Sequence, residues 1–175
     1  MKRGLIVAGF AVAVAHGAPP ARPATDFKGY ALGAPAPLEK LAEEWLLRCK
    51  DQFSGKKLCT GYSSVGNVHA ELTVTIGESG ELEDVFAVFK ADRYSVVRTA
   101  ALAKYGKPTK ERRAPVQTKA GATFPSETLS WTRKDGAQIT LTMHAETINQ
   151  SALLLQSRES VAEMLKAERS RKVDL

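Results

Sequence analysis

Sulfur and imidazole are both scarce in this chain. Its 175 residues include two cysteines, Cys49 and Cys59, and three histidines, His16, His69 and His144. The cysteines lack the Cys-x-x-Cys spacing of a thiol redox site. His69 and His144 each stand alone in a predicted strand, without the third ligand and the paired spacing of a zinc site. The composition therefore favours neither a thiol oxidoreductase nor a zinc protein, and no metal ligand is predicted.

Motifs for nucleophilic and phosphate chemistry are missing as well. The nearest approach to Gly-x-Ser-x-Gly is GYSSVG at residues 61–66, and its spacing is wrong for a nucleophile. No glycine-rich loop is placed to cradle a phosphate. Aromatic residues make up 7% of the chain and do not alternate with basic residues on a strand, which argues against single-stranded nucleic acid. The sequence predicts no catalytic residue, no cofactor and no nucleic-acid partner.

Long apolar runs are confined to the beginning of the chain. Lys2 and Arg3 precede an uncharged apolar stretch over residues 4–15. Charges ahead of an apolar stretch that is too short for a stable membrane span are typical of a signal peptide, and we expect cleavage after Ala15, or after Ala18 as a second choice. The alternative is a buried N-terminal core helix. No cysteine lies near the cleavage region, so we expect a mature chain that is neither lipidated nor membrane-spanning, in the periplasm or secreted.

The rest of the chain has the length of a single domain. Removal of residues 1–15 leaves enough chain for one domain with a substantial core. Residues 16–26 are rich in proline and alanine and predict a flexible leader. We expect one domain over residues 27–167 and a frayed tail over 168–175. The formal net charge of +6 falls by two when Lys2 and Arg3 leave, so charge alone does not identify a ligand.

Apolar periodicity predicts the elements of an α+β fold. An amphipathic helix is expected from Pro37 to Cys49, and strict alternation over residues 68–76 predicts a strand that returns over 82–89. A helix capped by Asp92 and ended by Gly106 follows. A second hairpin over 127–145, a strand at 152–156 and a charged helix opened by Ser157 complete the order. We expect an antiparallel sheet of about four to five strands, with helices packed on one face and the other face open to water.

The two cysteines are expected to pair. In an oxidising compartment a chain with only two cysteines most simply forms a disulfide, here between Cys49 and Cys59 around a mostly polar loop. Loop closure over so short a segment stabilises by about 2 to 3 kcal/mol. The alternative is a functional cysteine site. We expect a structural disulfide, whose removal lowers the melting temperature and leaves ligand binding intact.

Two charged clusters are candidate contact sites. Acidic residues crowd the first hairpin turn and indicate a solvated turn, a pair with a raised pKa, a calcium site or a contact patch: Glu78, Glu81, Glu83 and Asp84. The basic stretch over 107–122 has no apolar period and is expected to be an exposed connection. Six cations in or beside it form either a solvated surface or a patch for an acidic partner: Lys104, Lys107, Lys110, Arg112, Arg113 and Lys119.

Two segments carry a resemblance. The helix end ALAKYGKPT and the strand LSWTRKDGAQITL, together with the order of elements, resemble a group of small exported proteobacterial proteins of unknown function. The architecture is also similar to the β-lactamase-inhibitor-protein fold and to small outer-membrane assembly lipoproteins, although the lipidated cysteine is missing here. The resemblance implies a binding scaffold and supplies no enzymatic residue.

These observations favour a non-enzymatic exported module over an enzyme. We expect it to bind an envelope protein or an anionic envelope component through the open sheet face or the basic stretch. The first alternative is a small hydrolase that uses His69 or His144 with Glu71 or Glu146. The second is a secreted effector.

Overall fold

The structure, a computed structural model, describes residues 25–52 and 54–173. The predicted signal peptide and residues 16–24 of the predicted leader lie outside the described residues. In chain order the elements are β1 (Asp26–Phe27), β2 (Tyr30–Ala31), α1 (Leu38–Glu44), β3 (Arg48–Asp51), β4 (Lys57–Val65), β5 (Val68–Ile76), β6 (Leu82–Lys90), α2 (Tyr94–Tyr105), β7 (Lys110–Arg113), β8 (Val116–Gln117), β9 (Thr123–Phe124), β10 (Glu127–Thr132), β11 (Gln138–Thr142), β12 (Gln150–Gln156) and α3 (Arg158–Val173).

An eight-stranded antiparallel sheet dominates the fold. Its strand order is β3-β4-β5-β6-β12-β11-β10-β7, and two small hairpins, β1-β2 and β8-β9, lie outside it. The α+β class and the antiparallel sheet agree with the sequence expectation. The predicted strand count of four to five is wrong. Strand β5 begins and ends where the alternation predicted, because its apolar residues all point to one side.

The strands that the sequence missed have little alternation of their own. At positions 61 and 63, where alternation needs apolar residues, β4 has glycine and serine. The edge strands β3 and β7 read RCKD and KERR and are exposed along their whole length. Charged edge strands resist pairing with other chains, and they form here because β4 and β10 supply the ladder hydrogen bonds. Residues 107–122 are therefore not one exposed connection, since they include β7 and β8.

The core lies on one face of the main sheet. Cross-strand pairing sets one row of side chains across β5, β6, β12, β11 and β10: Leu72, Ala87, Leu153, Leu141 and Leu129. All five side chains belong to a single buried cluster, which also includes Leu41 of α1 and Val97 of α2. Burying large aliphatic side chains in this way is the main source of stability. The opposite face, which we call the open face, carries half-buried and exposed side chains apart from the buried Ala152.

The first two helices differ from the prediction at their ends. The helix expected from Pro37 to Cys49 stops at Glu44, so Cys49 lies in β3. Asp92 belongs to a 3₁₀ turn, Ala91–Arg93, and caps no helix, because the N-terminus of α2 has no side-chain hydrogen bond. Gly106 does end α2, with a positive φ of 78°.

The third helix breaks the expectation that the helices cover one face of the sheet. Its N-cap Ser157 accepts a hydrogen bond from the backbone N–H of Ser160, as the sequence suggested. Of its residues 158–171, whose burial is described, only Ser160 and Val161 are buried, and the turns after them are exposed. The helix continues to Val173, past residue 168, where the tail was expected to begin. No helix among the described residues is long and apolar enough to cross a membrane.

Candidate functional site

A cleft of about 760 Å³ opens on the open face, over β3, β4, β5, β6 and the start of β12. One row of paired residues crosses it: Arg48, Thr60, Thr73 and Phe86. The loop between β11 and β12 adds Glu146, and Gln150 follows at the beginning of β12. Because the lining comes from distant parts of the chain, the cleft exists only in the folded sheet.

The wall beside β4 is built by the chain that leaves α1. Leu46 has a positive φ of 53°, which is unfavourable for a residue with a side chain, and it is 66% exposed. This backbone reversal lets Trp45 and Leu47 enter the core on either side of Leu46. The carbonyl of Trp45 accepts a hydrogen bond from the N–H of Tyr62, which fixes the wall to β4.

Gly61 makes this close approach possible. A Cβ atom at Gly61 would lie 2.3 Å from the carbonyl oxygen of Trp45 and 3.0 Å from that of Leu46. We expect Gly61→Ala to lower the free energy of unfolding by about 1 to 3 kcal/mol, because backbone atoms would have to move. Urea unfolding measures the change. Thr60→Val, on the neighbouring exposed position, should change it by less than about 1 kcal/mol. Equal effects of the two substitutions would contradict the close packing.

Tyr62 gives the cleft a rigid aromatic side. Its ring stacks on His69, with centroids 5.5 Å apart and planes 13° from parallel. Tyr62 lines the cleft and His69 does not, so the imidazole supports the ring from behind. Because Tyr62 is still 48% exposed, part of its ring remains free for a ligand.

Several polar side chains in the cleft have no partner within the described chain. Arg48, Thr60, Glu71, Thr73 and Glu146 make no side-chain hydrogen bond or ion pair among residues 25–52 and 54–173. Gln150 is different, since its side-chain oxygen accepts a hydrogen bond from the hydroxyl of Thr147. The cleft therefore presents donors and acceptors that the protein itself does not use.

The predicted disulfide is present and borders this cleft. Cys49 and Cys59 are directly paired across β3 and β4 with Cα atoms 3.9 Å apart. The adjacent pair is Arg48 with Thr60, on the cleft side of the sheet. The bond thus holds β3 against β4 beside one wall of the cleft.

The six basic candidates lie on different elements and differ in their partners. Lys104 forms an ion pair with Asp26 (2.8 Å), and Arg113 pairs with Glu111 and Glu127. Lys110 and Arg112 point to the open face from the edge strand β7, as their pairing with Ser130 and Thr128 requires. Lys107 precedes β7, and Lys119 lies between β8 and β9.

Glu127 organises a second cavity, of about 430 Å³, at the β7 edge. It accepts hydrogen bonds from Tyr94 Oη (2.8 Å) and from the Nε atoms of Arg98 (2.7 Å) and Arg113 (3.3 Å). Burial alone would raise the pKa of Glu127, but these hydrogen bonds outweigh it and the pKa lies below its usual value. The Glu127 carboxylate thus already has its hydrogen-bond donors within the protein. The cluster joins α2 to the sheet and leaves few polar groups free to bind a ligand.

The histidines of the hydrolase hypothesis are engaged with groups other than carboxylates. His69 stacks on Tyr62, and Nδ1 of His144 is hydrogen-bonded to the carbonyl oxygen of Ile148 at 2.5 Å. His144 follows β11 in a bend with φ of 56° and is not in a strand, contrary to the prediction. The carboxylates of the same hypothesis, Glu71 and Glu146, both line the cleft.

The acidic turn is tied to Lys56. Nζ of Lys56 lies 2.8 Å from Oε2 of Glu83 and 2.6 Å from Oε2 of Glu163 on α3. Burial raises the pKa of Glu83 more than Lys56 lowers it, and burial likewise raises the pKa of Asp84. Burial would lower the pKa of Lys56, but its two carboxylate partners outweigh this and raise it. Among the described residues no group of His, Cys, Asp and Glu is arranged to hold a metal ion.

Comparison of the chain with protein families, with curated proteins and with solved structures gives no match. The resemblance noted from the sequence stays a hypothesis. The cleft residues Leu46, Tyr62 and Thr73 were not singled out from the sequence as ligand contacts, since each looks like an ordinary residue until β3, β4 and β5 are placed side by side.

Proposed function

We propose that this protein is an exported, non-enzymatic binding module that holds an envelope component in the cleft of its open face. The observation that carries the proposal is the set of unpaired polar side chains around the supported Tyr62 ring. A largely preformed concave site with a few converging polar groups is typical of ligand binding. The volume of about 760 Å³ lies within the range of small-ligand pockets.

Export is part of the same proposal. The charged and apolar start of the chain supports it, as does the disulfide between Cys49 and Cys59, because disulfides persist mainly in oxidising compartments. The ligand would then be met in the periplasm or outside the cell.

Two substitutions on one strand test the cleft. Thr73 lines it, whereas Thr75 lies on the same face of β5 outside the lining. We expect Thr73→Trp to fill the cleft and abolish retention of the envelope component from an extract, while the wild type and Thr75→Trp retain it equally. Mass spectrometry of the material eluted from each of the three proteins, with detection of both protein and saccharide, measures this retention. Equal retention by all three proteins would place the site elsewhere.

A small hydrolase remains the second candidate, because Glu71 and Glu146 lie in one cleft. Two carboxylates that flank a bound ligand are the usual catalytic groups of glycoside hydrolysis. New reducing ends after incubation with the retained component, lost in both Glu71→Gln and Glu146→Gln, would favour this reading over simple binding.

A further inference from the structure

The side chains that line the cleft restrict the class of ligand that it can bind. The inference drawn from them rests on the proposed function. We infer that the cleft binds a neutral oligosaccharide. The inference comes from the types of unpaired polar groups, their charge balance, the position of Tyr62 and the span of the cleft.

The unpaired polar groups match a ligand with many hydroxyls. Arg48 can only donate hydrogen bonds, the carboxylates of Glu71 and Glu146 accept them, and the hydroxyls of Thr60 and Thr73 do both. A sugar hydroxyl is at once donor and acceptor, so it can pair with each of these types. An extended peptide offers its donors and acceptors along its backbone and pairs best with a free strand edge, whereas this lining consists of side chains on a sheet face.

The lining contains charges of both signs. It has one guanidinium, on Arg48, and two carboxylates, on Glu71 and Glu146. A site for a polyanion collects cations and excludes carboxylates, and a site for a basic peptide does the reverse. Charge complementarity therefore favours an uncharged ligand in the cleft over an anionic headgroup.

The apolar groups of the cleft suit the flat side of a sugar ring. The C–H groups of a pyranose form an apolar face that stacks on an aromatic ring. Tyr62 offers such a ring, and its stacking on His69 reduces the conformational freedom that a ligand would have to restrict. Leu46 at the rim and Val88 on the floor extend this apolar surface.

The span of the cleft indicates more than one sugar ring. It reaches from β4, with Tyr62, to the beginning of β12, with Gln150. Three interstrand spacings of about 4.8 Å separate these strands, or roughly 14 Å. That distance matches a short oligosaccharide and exceeds one ring.

Cellotetraose, maltotetraose and N-acetylchitotetraose test the inference with the folded chain. We expect at least one of them to shift the amide NMR signals of Thr60, Thr73 and Val88 and to leave those of Thr128 and Ser130 unchanged.

Tyr62→Ala should weaken that binding about tenfold, and Tyr62→Phe, which keeps the ring, by about fivefold or less. Thr73→Val should weaken the binding about fivefold, and the matched control Thr75→Val should weaken it by less than about twofold. Melting curves verify that each variant is folded.

Other results would overturn the inference. If none of the three saccharides binds while Thr73→Trp still abolishes retention of an envelope protein, the ligand is a polypeptide and only the oligosaccharide assignment fails. If none binds and Thr73→Trp changes nothing, both the assignment and the proposed function fail. Saccharide binding that is unaffected by Tyr62→Ala and Thr73→Val would place the sugar site outside the cleft.

Discussion

Lys56→Met is expected to lower the free energy of unfolding by about 3 to 5 kcal/mol at pH 7. The side chain of Glu83 is only 5% exposed, and Lys56 is the cation that pairs with it. Without Lys56 the carboxylate would stay buried without a counter-charge, and Glu163 of α3 would lose its ion pair with Lys56. Urea unfolding at several pH values measures the loss.

The neighbouring lysine is a matched control. Lys57 pairs with Asp51 at the surface, where both side chains are well exposed, and exposed ion pairs contribute about 0 to 1 kcal/mol. Lys57→Met should therefore have a small effect. Equal effects of the two lysine substitutions would contradict the importance of the buried pair.

The loss in Lys56→Met should also depend on pH. A carboxyl group whose pKa is higher in the folded than in the unfolded state takes up a proton on folding, so lower pH favours the folded state. The pKa of Glu83 is already raised by burial, and removing Lys56 raises it further. The difference in unfolding free energy between the variant and the wild type should therefore narrow from pH 7 to about pH 5, just above the range in which an ordinary glutamate titrates. Glu83→Gln in the Lys56→Met background should recover stability at pH 7 and remove this dependence.

Loss of the disulfide is expected to lower the free energy of unfolding by about 2 to 3 kcal/mol through the entropy of the unfolded chain. For a domain of this size that corresponds to a fall of roughly 5 to 10 °C in melting temperature. Alanine is the better replacement, because Cys59 is fully buried and a serine hydroxyl there would add a cost of its own. Thermal melts compare the double variant Cys49→Ala and Cys59→Ala with oxidised and reduced wild type.

Ligand binding should survive the loss of the disulfide. The ladder between β3 and β4 joins four residue pairs, and three of them are independent of the sulfur atoms. Arg48 and Thr60 should therefore keep their places at the cleft wall. A variant that kept its melting temperature and lost its ligand would assign the cysteines to the binding site, contrary to the structural role proposed from the sequence.

Local patterns predicted the elements whose own residues alternate between apolar and polar or supply the glycine of a turn or of a helix end. Strand β5 has an apolar residue at every second position, and the turn at residues 77–80 carries the glycines that a hairpin needs. The charged strand β7 has no such pattern, because an edge strand gains its stability from the hydrogen bonds of its neighbour and not from burial. The patterns therefore predicted β5, β6 and β10 to β12, and they missed the edge strands β3 and β7 and the interior strand β4, whose inward positions include glycine and serine.

The segment after α1 shows how tertiary contacts override a local period. Trp45, Leu46 and Cys49 follow helical spacing, yet the chain leaves the helix after Glu44. Burial of Trp45 and Leu47 in the core, together with pairing of Cys49 with Cys59 across the sheet, stabilises the extended path more than continued helix would.

By itself the sequence determined the α+β class, the central hairpins and the pairing of the only two cysteines, because each depends on residue types and on short-range spacing. Only the tertiary structure decided the size of the sheet, the partners of the basic residues and the cleft. The cleft needs Arg48, Tyr62, Glu71 and Glu146 to converge, and these residues lie on three strands and a distant loop. Their proximity follows from strand order and register, which are set by long-range pairing and burial of the shared core and leave no local trace in the chain.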